Sequence, residues 1–169
     1  LYIKDKYLRL YDCKKNSDSP LSVIRRSTTR PVRTMSYNSH ENYVLLTSDQ
    51  DGGTYELFKL PKTTSSSSSA VNNNNNNNTT TDVDVSGQVS KGRAIAAVFT
   101  GLKKYAILDR NKKIFIKNVD NDSTREIALK DNIGGSVRFI FESQSGRILI
   151  KTDQKVHQYD FEQQKVINE

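Results

Sequence analysis

The side chains able to do chemistry in this chain are its acids, two histidines and one cysteine. Asp5, Asp109 and Asp153 stand just ahead of short apolar runs, and carboxylates brought together could serve as general acid and base. Their placement argues otherwise. Asp5 and Asp153 each lie seven residues before a second aspartate, Asp12 and Asp160, in KDKYLRLYD and TDQKVHQYD, with Tyr11 and Tyr159 immediately before the second acid. A carboxylate that recurs at one position of a repeat is expected to hold a turn by accepting backbone N–H groups. His40 and His157 are far apart, and Cys13 has no second Cys or His at a ligand spacing. The chain contains no Walker sequence, no G-x-G-x-x-G and no G-x-S-x-G, so Gly52-Gly53 and Gly134-Gly135 read as turns. We therefore expect no catalytic, cofactor-binding or metal-ligating residues, and no enzyme.

The elements that position these acids read as strands. Apolar residues fall in short runs between turn residues, and no window of about 11 residues sustains a helical period. RTMSYN, AIAAVFT and VRFIFES align as first members of a recurring unit; YVLLT, YAILD and RILIKT follow as second members. TYELFKL, KIFIKNV and KVHQYDF come third, and TREIAL and KVIN supply a fourth where one is found. Four short antiparallel strands recurring at about forty residues are the pattern of a β-propeller blade. The acidic turn, the alternating strand and the closing aromatic-Asp pair resemble the WD repeat. LDRNKKIFIKN is a looser copy ending in Lys117 and Asn118, and TSDQDGGTYELFKL keeps only Asp49 and Asp51. With no Trp and no Gly-His dipeptide, the blades are degenerate. The fold class expected is all-β: a partial WD-type propeller of three to four blades with a disordered insertion.

That insertion is TTSSSSSAVNNNNNNNTTTDVDVSGQVSK, residues 63–91. It has almost nothing to bury against the ~1–2 kcal/mol per residue lost on ordering a backbone. Loop closure grows only with the logarithm of length, so the flanks can belong to one domain. An inert expanded loop is a better account of seven Asn than an assembly segment. Residues 32–62 and 92–169 are then blades, with the first of these units interrupted after its third strand, and residues 1–27 are the end of a preceding blade or a linker. At most four blades fit, fewer than in a usual closed WD ring. Together with the opening at Leu1 inside a strand-like run, this implies a piece of something longer.

Charge and composition bound the function. Apolar residues make up 34%, and no run approaches the ~18 consecutive apolar residues of a membrane span. A lone cysteine and an opening run that carries charges favour the cytoplasm. The net charge is +7, with basic groups at Lys14-Lys15, Arg25-Arg26, Arg30, Arg33, Lys103-Lys104, Arg110, Lys112 and Lys113. Such groups could meet phosphate, which keeps a nucleic-acid-binding propeller as the alternative function. Acids are interleaved and no aromatic stacking array accompanies the cations, so a solvated rim is favoured. Asn77, Asn78 and Asn121 open N-x-[ST] triplets that matter only in a secreted chain.

The order of features adds a resemblance. MSYN at Met35–Asn38, YELFKLPK at Tyr55–Lys62 and YAILDRNKKIFIKN at Tyr105–Asn118 are its most distinctive pieces. They sit between KDKYLRLYD and SGRILIKTDQKVHQYDFEQQKV. This succession resembles the coatomer alpha-subunit family of the COPI vesicle coat, at the end of its first propeller and the coatomer WD-associated region. The resemblance covers nearly the whole chain outside residues 63–91. It implies a structural scaffold in vesicle-mediated transport between Golgi and endoplasmic reticulum, cytoplasmic and peripheral on Golgi membrane and COPI-coated vesicles. It implies other coatomer subunits as partners, membrane association through the assembled coat, no nucleic acid and no small-molecule substrate. The family's dilysine-reading residues belong to the first propeller and transfer to none of these positions.

Overall fold

Short apolar runs bounded by turns satisfy their backbone groups by pairing with the next run, and this chain pairs them in chain order. The computed structural model describes residues 2–4, 6–11, 18, 20, 22–61, 87–121, 123–129, 133–143 and 146–167. Among them there is no α-helix. Two compact units are present. In the first, β1 (Tyr2–Lys4), β2 (Tyr7–Leu10) and β3 (Ser22–Arg25) form an antiparallel sheet in which Leu8 opposes Ile24, each 1% exposed. The Arg9 guanidinium lies 5.4 Å from the centre of the Tyr7 ring.

The second unit, Arg30–Leu60 with Gln88–Glu169, holds three four-stranded sheets. One is β4 (Thr34–Asn38), β5 (Tyr43–Ser48), β6 (Thr54–Lys59) and β7 (Gln88–Gly92). The next is β8 (Ala96–Phe99), β9 (Lys104–Leu108), β10 (Ile114–Asn118) and β11 (Thr124–Glu126). The last is β12 (Val137–Glu142), β13 (Arg147–Thr152), β14 (Val156–Asp160) and β15 (Lys165–Ile167). Each is an antiparallel meander, the quartet expected of a propeller blade.

One boundary differs from the sequence expectation. Gln88–Lys91, assigned to the polar tract, form most of β7, the fourth strand missing from the first quartet. QVSKG alternates half-buried and exposed residues at a sheet edge, so it carries no apolar run to read. Its pairing with Tyr55–Phe58 of β6, through a register shift at Leu57 and Phe58, places the strand. Residues 63–86, the remainder of the expected insertion, lie outside the described residues.

The core shows why the strands of the middle sheet read as unbroken apolar runs. Successive side chains of a strand point to opposite faces. Ala97 and Phe99 of β8, with Tyr105 and Ile107 of β9, pack on Tyr43, Leu45, Tyr55 and Leu57 of the preceding sheet. Their alternates Ala96, Val98, Ala106 and Leu108 join Ile114 and pack on Ile140, Ile148, Ile150 and Tyr159 of the following one. A sheet covered on both faces has no polar side to alternate with.

Candidate functional site

The acids singled out from the sequence fall in turns and strand ends. Asp109 follows β9; its Oδ1 accepts the Lys113 backbone N–H at 2.8 Å, and its carbonyl accepts that of Lys112 at 3.2 Å. This closes a hairpin in which Lys112 takes φ 66°. Asp153, between β13 and β14, accepts the Ser136 N–H at 2.9 Å and lies 3.6 Å from Arg138, tying the turn to the lead-in of β12. Asp160 ends β14: Oδ1 accepts the N–H groups of Glu162 and Gln163, each at 2.9 Å, and Oδ2 accepts the Arg147 Nε–H at 3.0 Å. Tyr159 beside it is buried, its ring edge-on to Phe161 at 5.3 Å. Tyr11 is half-buried just beyond β2, and Asp5 and Asp12 lie outside the described residues. Each described acid is engaged by the backbone or a cation of its own sheet.

These engagements set the titration of the groups involved. The Gln163 N–H, followed by the Arg147 guanidinium and the Glu162 N–H, holds the Asp160 carboxyl below its usual range against the opposing effect of burial. Burial pushes the Tyr159 hydroxyl up. The hydrogen bond to Asp120 raises the Lys103 ammonium, but this pair is half exposed and contributes little to stability.

A second arrangement, not legible as a motif, joins one set of loops across the three sheets. Asn38 at the end of β4 is buried; its Nδ2 donates to the carbonyls of Gly101 at 3.2 Å and Leu102 at 2.7 Å in the β8–β9 turn. Its Oδ1 accepts the His40 and Glu41 N–H groups of its own turn. From the β8–β9 turn the links continue: Gly146 N–H donates to the Thr100 carbonyl, and Phe161 N–H to the Gly146 carbonyl, both at 3.0 Å. The one sequence signal was MSYN itself, an Asn closing a strand before a polar turn, where its side chain can bond nearby backbone. Beside these loops lies an open cavity of about 730 Å³ with Leu102, Ile116 and Phe161 among its walls.

At the opposite strand ends, backbone contact sets the spacing of the first two sheets of this unit. Gly53 takes φ 96°, and its carbonyl accepts the Ala94 N–H at 3.3 Å. Arg110 Nε donates to the Gly52 carbonyl at 2.9 Å. Between these ends, the Tyr55 and Tyr105 rings lie 5.8 Å apart, and both hydroxyls reach Ser90 Oγ of β7.

Comparison with known proteins gives these quartets a context. The family described as COPA/B second beta-propeller matches residues 5–169. Coatomer subunit alpha-2 of Arabidopsis thaliana is 31% identical over 99% of this chain and 13% of its own length. Coatomer subunit alpha-3 of Oryza sativa is 29% identical over 99% of this chain and 13% of its own length. Coatomer subunit alpha of Dictyostelium discoideum is 29% identical over 99% and 12% respectively. The chain thus spans about an eighth of the length of these relatives.

Proposed function

Because this chain belongs to the COPA/B second beta-propeller family, we propose that it is a structural scaffold segment of a COPI coatomer subunit. It acts by binding other coat subunits in vesicle-mediated transport between Golgi and endoplasmic reticulum, on the cytoplasmic side and peripheral to the membrane. The observation that carries this proposal is the family match over residues 5–169, in a chain aligned over 99% of its length with coatomer alpha subunits. The geometry is in keeping with it: the acids serve turns, and the loops of three sheets are held in one connected face. We propose no catalytic step.

The nucleic-acid alternative draws on the +7 charge. Among the described residues, four cations lie close against acids: Arg30 pairs with Asp51, Lys103 with Asp120, Lys113 with Glu126 and Arg147 with Asp160, at 2.6–3.0 Å. This favours a mixed-charge protein surface over a phosphate track. Affinity purification of the full-length polypeptide under native conditions tests the proposal. Recovery with the other coat subunits in fixed ratio is expected, whereas a free monomer, or recovery dependent on RNA, would overturn it.

A further inference from the structure

The cavity beside the linked loops has a composition the scaffold role does not account for. Leu102, at the tip of the β8–β9 turn, is 56% exposed, yet the turn is fixed by two hydrogen bonds from buried Asn38. An exposed leucine on a pinned turn is a preorganised apolar anchor, since little loop entropy remains to be lost on contact. Half-buried Ile116 and Phe161 continue the apolar surface.

Cations stand around it. Lys103 is taken by Asp120 at 2.8 Å, but Lys104 and Arg125 form no ion pair among the described residues. Among the described residues, a single acid, Glu162, also lines the cavity. Among the described lining residues the two cations without an ion pair outnumber the one acid, and the volume, about 730 Å³, is within the roughly 300–1,000 Å³ range of pockets that enclose small ligands. Bare phosphate would leave Leu102, Ile116 and Phe161 wet, so charge and apolarity together select a peptide.

Resting on the proposed coat function, we infer that this groove docks an acidic segment of another coat subunit, with an aliphatic or aromatic side chain against Leu102, Ile116 and Phe161 and carboxylates facing Lys104 and Arg125. The carboxylates supply orientation and salt-sensitive attraction, and the apolar residue supplies the buried contact.

The test is carried out in the complete coat complex. Leu102 is replaced by photoreactive benzoylphenylalanine in the full-length polypeptide, the complex is irradiated, and the attached segment is sequenced by mass spectrometry. A crosslink to an acidic segment of a coat subunit is expected. Its yield should fall about tenfold in the Lys104→Glu/Arg125→Glu variant, and fall with rising salt, because the attraction is screened. Attachment to lipid, RNA, or a neutral or basic segment overturns the inference, as does absence of a crosslink or a yield unaltered by charge reversal. If the complex assembles normally while the crosslink fails, the groove assignment alone is wrong; if the unsubstituted polypeptide recovers no coat subunit, the scaffold proposal fails first.

Discussion

Substituting Gly53 should separate the first two sheets of the second unit where the Gly53 backbone meets that of Ala94. At φ 96° and ψ 132° an L side chain is strained, at a cost of about 1–3 kcal/mol. An added Cβ would also fall 2.3 Å from the Ala94 carbonyl oxygen and 2.8 Å from its carbon. Both atoms are backbone, so relief requires moving the lead-in of β8, and overpacking of this kind costs about 1–3 kcal/mol more. Gly53→Ala should therefore weaken the local fold by about 2–6 kcal/mol. Gly101→Ala is the control: its Cβ would meet nothing within 4 Å, and the change should stay within about 0.5 kcal/mol. Hydrogen exchange of the complete polypeptide, read peptide by peptide over β5, β6 and β8, reports both. Exchange from the protected amides should quicken at least about thirtyfold in Gly53→Ala, at tenfold per 1.4 kcal/mol, and about twofold at most in the control. Equal protection in the two variants would refute the close approach.

Ile148→Ala, at a fully buried position between the second and third quartets, should cost about 2–5 kcal/mol and be seen as lost exchange protection in β13. Asn38→Ala leaves the Gly101 and Leu102 carbonyls without their side-chain donor; a loss of about 1–3 kcal/mol is expected, with faster exchange in the β8–β9 turn. The Gln163 N–H and the Arg147 guanidinium hold the Asp160 carboxyl below the usual carboxylate range, so its stabilisation is complete above the unfolded-state value and is lost as pH falls through the lower folded value. Asp160→Asn should flatten the acid limb of the stability profile below about pH 4 and leave its slope at neutral pH unaltered, as followed by acid unfolding.

Much of the fold was legible because covered strands write their burial into the sequence. AIAAVF and YAIL are apolar on both faces because a sheet lies on either side; KVIN marked β15 through Val166 and Ile167, and TREIAL marked β11 through Ile127 and Leu129, which follow that strand into the core. QVSKG did not announce β7, since an edge strand with Ser90 beneath two tyrosine hydroxyls needs no apolar run. The hairpin acid Asp109 could be read from its position before a strand, because the bond it makes reaches only as far as Lys113. Asn38 could not, because its partners Gly101 and Leu102 are distant in sequence and adjacent only once two sheets have packed. The same holds for the groove: Leu102, Ile116 and Phe161 come from three separate segments, and only the folded loops bring them beside Lys104 and Arg125.

If the proposed function holds, β4–β7, β8–β11 and β12–β15 are consecutive propeller blades inside the COPI coat. Electron cryo-microscopy of the complex purified through the full-length polypeptide would decide it. Three successive four-stranded sectors are expected in coat density, with the turn bearing Leu102 against a neighbouring subunit. Density in which these residues form helices, or a coat that assembles without this polypeptide, would contradict it.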